Sequence, residues 1–457
     1  MSTDEESVNA FEPFRQFFAL ERDVLVLSLA MFAFSLGFQM TGRYMGRYLE
    51  FLGATSLVIG LYGSFGNLIS AVYPYPGGAL SDRIGSRTAL TLFGLASTAG
   101  FLLWFGAPAL DAIPAVPAWL WIFAGLAFAQ AWKSFGLGAT FAIVKQSVPP
   151  SELATGFAST ETFRRTAFLL GPLLAAALIA AYGFDPGFRY VLGVAAAFGL
   201  VATVAQHHLY AAEKDSLGSS FAGVSQVVDD LRTMPATLRP LLVGDTLVRF
   251  ANGMVYVFVV LVVTTYLEVS ATLPVVGYLG PEAFFGVLLA VEMAVALATM
   301  VPVAKLARRV GLKPVVALGF VVYAVFPVLL VTAPAGGVVV ALPALGTVAL
   351  SEAELVALLF AVSGLRFAGL PAHKALIVGP AEEDAGGRVV GSYYLVRNAL
   401  TIPSAAVGGW LYGLPATSVP GVATVGGPVL AFGIATVVGL AGVAYFVAFG
   451  RELDAYA

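Results

Sequence analysis

Twelve stretches of twenty or so predominantly apolar residues alternate along the chain with short polar or Gly/Pro-rich breaks, at roughly 24–49, 56–76, 88–107, 118–143, 157–182, 190–209, 241–267, 283–304, 314–333, 354–376, 391–412 and 427–449. A helix rising about 1.5 Å per residue needs about 20 apolar residues to cross a bilayer core. The pattern therefore predicts an all-α integral membrane protein with twelve transmembrane helices, numbered below as spans 1 to 12. The longest polar interval, 211–240, separates them six and six. It predicts an N-terminal six-helix bundle over 1–210 and a C-terminal one over 241–457. Within the interval, Phe221, Val224, Val227, Val228 and Leu231 recur at helical spacing, with Asp229, Asp230 and Arg232 elsewhere on the wheel. That spacing predicts a cytoplasmic linker in the form of an interfacial amphipathic helix. The first 23 residues are polar and acidic, with no small-residue cleavage site after a short apolar core, so span 1 reads as a retained anchor.

Composition agrees with the pattern and narrows the classes. Of 457 residues, 59% are hydrophobic and only 11% charged, against about a quarter charged in soluble domains. Cysteine is absent, which removes disulfides and thiolate metal ligands. A net charge of −3 gives no case for nucleic-acid binding. The loop charges set an orientation. With the N-terminus inside, fourteen Lys and Arg, from Arg15 and Arg22 to Arg451, fall on the cytoplasmic side, and only Arg189 falls on the other. By the positive-inside rule both termini are expected in the cytoplasm, in a multi-pass protein of the cell (plasma) membrane.

The chain also repeats itself. Gly77 to Arg87, GGALSDRIGSR, links spans 2 and 3; Val303 to Lys313, VAKLARRVGLK, links spans 8 and 9 and aligns with it at a constant offset. Span 5 contains RRTAFLLGP and ends Tyr182-Gly183; span 11 contains VRNALTIP and ends Tyr412-Gly413. Spans 4 and 10 pair as KSFGL from Lys133 and RFAGL from Arg366, so a cation recurs at equivalent depth. Internal repeats of this kind are how many transporters are built.

On these residues the chain resembles the major facilitator superfamily (MFS) of secondary transporters. Gly78-x-x-x-Asp82-Arg83-x-Gly85-x-Arg87 is similar to that superfamily's loop motif between helices 2 and 3, with Ser86 where a basic residue is usual. The resemblance implies two pseudo-symmetric six-helix bundles that rock about a central cavity. It further implies that Asp82 sits against the N-terminal end of span 11, near Gly387 to Ser392, and that Arg83 and Arg87 hold acidic or carbonyl partners. Gly77, Gly78 and Gly85 would permit the tight turn.

Ionisable side chains at membrane depth are costly and mark function. Eight cations lie inside the spans, Arg43, Arg47, Lys133, Arg164, Arg165, Arg249, Arg366 and Arg397, with Lys374 at the cytoplasmic border, against three acids, Glu161, Asp245 and Glu292. Gln39, Arg43 and Arg47 share a face of span 1 at steps of four, and Arg47 is close enough to the outer surface to snorkel. Arg43, Lys133 and Arg366, with Gln39 and Asn252, are the candidate substrate ligands in a central cavity. Alternatively, Lys133 and Arg366 bond to backbone carbonyls loosened by breaks such as Gly369 to Pro371. Asp245, Arg249 and Asn252 share a face of span 7, where Asp245 and Arg249 either pair with each other or form an inner gate. Arg165 and Arg397 at similar depth extend that candidate gate. Glu292, with no cation nearby in sequence, either pairs across helices or is a candidate proton carrier, as are Asp245 and Glu161. His373 and His207-His208 read as isolated interfacial histidines with no metal role.

The expected function is an alternating-access secondary transporter of a small organic solute, coupled to a proton or other ion, and it is a monomer needing no cofactor. The cation excess points to an anionic substrate. The alternatives are a proton-coupled multidrug-type efflux antiporter and a transport-dead receptor of the same fold. An enzyme is not expected: there is no HExxH, GxSxG or paired-aspartate pattern, and no phosphate-binding loop for a pump.

Overall fold

The computed structural model describes residues 22–113, 116–136, 153–211, 232, 235–342, 346–379, 386–416 and 425–452. Among them, eight helices are long and apolar enough to cross a membrane, and a ninth span is a pair of helices bent by 48°. The predicted linker and the first 21 residues lie outside the described residues almost entirely.

Each apolar stretch falls on helix, but several that read as continuous are broken. Span 1 is α1 (Arg22–Thr41) and α2 (Met45–Phe51), interrupted at residues 42–44. Span 2 is α3 (Ser56–Val72) running into α4 (Pro74–Ile84). Spans 3 to 6 follow as α5 (Ser86–Leu110), α6 (Ala118–Ala131) ending in a π turn at Trp132–Gly136, α7 (Leu153–Tyr182) and α8 (Phe184–Leu209). Span 7 is α9 (Arg239–Tyr256), a bend, then α10 (Val259–Leu261) and a π turn at Val262–Tyr266. Spans 8 and 9 are the uninterrupted α11 (Pro281–Val310) and α12 (Leu312–Val331). Span 10 is α13 (Glu352–Gly364), a 3-10 turn at Leu365–Phe367 and α14 (Leu370–Val378). Span 11 is α15 (Gly386–Thr401) and α16 (Ser404–Tyr412), and span 12 is α17 (Gly427–Phe449). The breaks in spans 2 and 11 fall at Pro74 and Pro403, which cannot donate to the helix ladder. Inside a bundle, neighbouring helices tolerate such freed groups.

Two short antiparallel hairpins were not legible in the hydropathy: β1 (Ala271–Leu273) with β2 (Gly277–Leu279), and β3 (Val338–Leu342) with β4 (Gly346–Leu350). They cap the links from span 7 to 8 and from span 9 to 10. After the second, Ser351 caps α13 in a full capping box: its hydroxyl accepts from Glu354 N–H, and its own N–H donates to the Glu354 carboxylate at 2.8 Å. Ser351→Ala is expected to cost about 1 kcal/mol, read as a lower melting temperature of the detergent-solubilised protein; an unchanged value would show that packing alone holds this end.

The internal repeat has a backbone signature. Gly85, between α4 and α5, has φ +83°, and Gly311, between α11 and α12, has φ +94°. Each ends one helix and starts the next, a conformation that L side chains rarely adopt. The aligned glycines of the two loop motifs therefore do the same geometric work.

The core shows how the two sets of helices meet. Let the near end be the one carrying Arg22 and Glu452, and the far end the opposite one. Toward the far end a single apolar cluster runs through both sets, from Tyr44, Tyr48 and Phe188 to Phe258, Phe285 and Phe432. Toward the near end it divides. One cluster, with Phe34, Trp132 and Tyr210, belongs to the helices before 211, and another, with Phe320, Tyr393 and Phe446, to those after 237. The sets join through α3 against α15 and α16, and α7 against α11.

Candidate functional site

The far-end junction is polar as well as apolar. Arg47 on α2 pairs with Glu50 at 2.8 Å and with Glu282 on α11 at 3.1 Å. Tyr44 donates to the Glu282 carbonyl at 3.1 Å, and Thr265 to Glu50 at 3.1 Å. Arg47 is therefore not an uncompensated cation. Glu50 and Glu282 fall one residue outside the predicted spans, so a count confined to the spans omits them. Deeper in, Ala406 N–H donates to Ser64 Oγ at 2.9 Å and the Asn67 amide to the Thr401 carbonyl at 3.3 Å.

Between the two sets of helices lies a cavity of about 200 Å³ whose lining includes Gln39, Arg43, Arg249, Asn252, Glu292 and Arg366. The structure thus brings together four of the five substrate-ligand candidates. A second chamber of about 260 Å³ shares Arg249, Asn252 and Tyr256 with the first and extends to Asn67, Arg397 and Asn398. The shared residues lie on α9, where the spacing of seven residues from Arg249 to Tyr256 keeps them on one face.

Glu292, without a cation near it in sequence, has two in space. Arg366 approaches Oε1 at 2.6 Å and Arg43 approaches Oε2 at 3.6 Å, while Ser363 Oγ donates to Oε1 at 2.5 Å. Glu292 and Arg366 are 3% and 6% exposed. The Arg43 contact crosses between the two sets of helices; the Arg366 contact stays within the second. Arg43 also lies over the Tyr256 ring at 4.6 Å, and Arg366 over Tyr323 at 5.0 Å and Phe367 at 4.8 Å.

Asp245, fully buried, organises a second cluster. It accepts from Arg249 at 3.3 Å, Arg397 at 3.1 Å and the Tyr393 hydroxyl at 3.1 Å. The expected Asp245–Arg249 pair is present, and Arg397 and Tyr393 of span 11 join it. His373 Nε2 lies 3.2 Å from Asp245 Oδ2, close enough for an ion pair though not aligned as a hydrogen bond. His373 is buried, not an interfacial histidine as its position near the end of span 10 suggests; it lies in α14, with its ring toward Asp245 of span 7. No periodicity in the sequence signals that.

Lys133 and Arg366 match in sequence, and each lies in a helical irregularity, a π turn and a 3-10 turn respectively. Their surroundings differ. Arg366 is buried on Glu292, whereas Lys133 is exposed, 5.8 Å from the centre of the Phe38 ring and within electrostatic reach of Tyr256 across the cavity. Among the described residues no acid pairs with Lys133. Arg164 lies over Phe168 at 5.1 Å, with half-buried Arg165 beside it on α7. The side chain of Glu161 lies outside the described residues.

Of the loop motif, Arg83 is exposed and Arg87 donates to the His207 carbonyl at 2.7 Å, a partner in its own set of helices. Gly78, the Asp82 side chain and those of residues 386–390 lie outside the described residues.

Comparison with known proteins gives a family and a fold. A family model described as Major Facilitator Superfamily matches residues 27–350. The chain is 21% identical over 399 residues to an uncharacterised MFS-type transporter of Methanocaldococcus jannaschii, covering 86% of this chain and 89% of that one. Among solved structures, a mutant of the nucleoside transporter NupG superposes with a TM-score of 0.70 at 13% identity, covering 94% of this chain and all of that one. A mutant of the peptide transporter POT in complex with alafosfalin superposes at 0.65 with 16% identity, covering 99% and all respectively.

Proposed function

Because the chain belongs to the major facilitator superfamily and is a multi-pass membrane transporter of that type, we propose that it carries a small anionic organic solute across the cell membrane by alternating access, coupled to a proton or another ion gradient. In this reading both termini face the cytoplasm, the chain works as a monomer, and the helices of 1–210 and of 241–457 are the two rocking bundles joined by the 211–240 linker.

The observation that carries the reading is the polar cavity between the two sets of helices, where arginines outnumber the acids that hold them. Arg43 and Arg366 share Glu292, and Arg249 and Arg397 share Asp245. A carboxylate or phosphate entering from water would meet preformed cationic donors. The conformation suits such a cycle, with one joined core at the far end and two separate cores at the near end. Under the proposed orientation this is the state open toward the cytoplasm. The loop from Gly78 to Arg87, with Arg165, Arg249 and Arg397, would form the opposing contacts when the near end closes.

Glu292, Asp245 and Glu161 are the proposed coupling groups. The first two each serve two arginines in this conformation, so a proton arriving there has to displace a guanidinium. That exchange would tie ion binding to movement of Arg43 across the bundle interface.

The test is a thermal-shift screen of the purified protein against anionic and lipophilic cationic solutes. A ligand at about 100 times its Kd adds about 2.7 kcal/mol to the folded state. We expect anions to stabilise the parent and Lys133→Gln and Arg366→Gln each to weaken that binding by about tenfold or more. Retained anion binding in both variants defeats the assignment. Tight binding of a cation by the parent favours a proton-coupled multidrug-type antiporter instead.

A further inference from the structure

Resting on the anionic reading of the cavity, a more specific assignment follows from how its charges are divided. We propose that the cavity is built for a small dicarboxylate, with one carboxylate received in each of the two joined chambers.

Four arginines line the chambers, Arg43 and Arg366 in the first, Arg397 in the second and Arg249 in both. Two acids serve them, Glu292 in the first chamber and Asp245 buried behind Arg249 and Arg397. Each acid thus serves two guanidinium groups, an excess of one positive charge around each. Beyond the acids the donors meet neutral acceptors, Arg249 the Tyr323 hydroxyl at 3.1 Å and Arg397 the Asn398 Oδ1 at 3.0 and 3.3 Å, which leaves the charge excess in place. All four arginines meet their carboxylate through a single nitrogen, at 3.6, 2.6, 3.3 and 3.1 Å for Arg43, Arg366, Arg249 and Arg397, rather than through the two parallel bonds a guanidinium can make. Arg366 keeps a buried Nε with no partner at all. Unrelieved charge at this depth is costly, and it is tolerable where water or a ligand completes it.

The separation of the chambers argues for two anionic groups rather than one doubly charged group. Arg249 and Tyr256 are seven residues apart on α9, about 10 Å along its axis. Arg43 stacks on Tyr256 at one end of that interval, and Arg397 meets Asp245 beyond the other. A phosphate, whose charges lie within one tetrahedron, can occupy only one chamber at a time. Between the charged ends, Asn252 belongs to both chambers, a neutral polar surface beside which a short carbon chain can lie.

The experiment is calorimetric titration of the purified full chain with saturated dicarboxylates of three to six carbons, the monoamide of each, butyrate and inorganic phosphate. We expect one dicarboxylate to bind about tenfold or more tightly than its monoamide. Arg43→Gln and Arg397→Gln should each collapse that ratio toward one, while Arg43→Lys and Arg397→Lys, which keep the charge, should retain most of it. Equal binding of a dicarboxylate and its monoamide overturns the two-headed assignment and leaves the anionic reading standing. Phosphate as the tightest ligand does the same. Binding of none of these anions, together with stabilisation by a cation, removes both.

Discussion

Gly46→Leu is expected to open the far end and to stop transport. A Cβ at Gly46 meets the Val257 carbonyl and lies 3.2 Å from Val260 Cγ1. Gly46 is on α2, just after the break in span 1, and Val257 is at the bend of span 7, so the two interrupted helices touch backbone to backbone across the junction. Spans 2 and 11 do likewise: a Cβ at Gly60 would lie 2.9 Å from Gly409 Cα. In the proposed alternating-access cycle these contacts break when the far end opens. A leucine at 46 leaves each set of helices intact and penalises their approach, so the open far end becomes the favoured state. The absence of cysteine makes the readout clean. A single Asn252→Cys in the cavity should be modified by a membrane-impermeant maleimide from the near side in the parent, and from the far side in the Gly46→Leu background. Gly106→Ala is the control, since nothing lies within 4 Å of a Cβ there. Unchanged far-side labelling in Gly46→Leu would show that this junction is not the gate.

The second large effect is expected at Glu292. Its carboxylate is 3% exposed and holds Arg366 and Arg43, so Glu292→Gln strands two guanidinium groups at membrane depth. Removing one partner of a buried ion pair costs about 3–5 kcal/mol, enough to lower the melting temperature by many degrees. Arg366→Met added to Glu292→Gln should recover much of the loss, because replacing a buried pair by apolar groups is often neutral. Arg43→Gln alone should cost less than Arg366→Gln alone, since the contact at 3.6 Å is longer than that at 2.6 Å and Arg43 is more exposed. A double variant no more stable than Glu292→Gln would mean that the two groups do not act as a pair. With the Arg43 bridge gone, maleimide labelling at Asn252→Cys should also shift between sides, linking the ion pair to the gate.

Among the described residues hydropathy located the helices that are long and apolar enough to cross a membrane, eight of them and a ninth as a bent pair, because burial of apolar residues in lipid depends on composition over about 20 positions and not on neighbours distant in sequence. The loop motifs were legible for a similar local reason. A glycine with positive φ between two helices is required by the turn itself, which is why Gly85 and Gly311 could be aligned before their geometry was seen. The pairing of Asp245 with Arg249 was legible too, one helical turn apart on a shared face.

What the chain alone left open depends on contacts between residues far apart in sequence. Glu292 reads as a proton carrier or as one half of a pair across helices, but its partners, Arg43 and Arg366, are 249 positions before it and 74 after it and carry no signal in the local sequence. His373 reads as interfacial because its partner Asp245 lies 128 positions earlier, on span 7. Arg47 reads as surplus because Glu282 comes from the other set of helices. Lys133 and Arg366 are equivalent by repeat and distinct by environment, a difference that symmetry of sequence cannot carry. Local periodicity and composition determined that this is a polytopic helical membrane protein, and the loop motif and its second copy carried the resemblance to a transporter superfamily. Only the tertiary structure decided which charges are neutralised, which face the cavity and which end of the bundle is closed, because an ion pair is a matter of a few ångströms in space and the hydropathy of a span is blind to its neighbours.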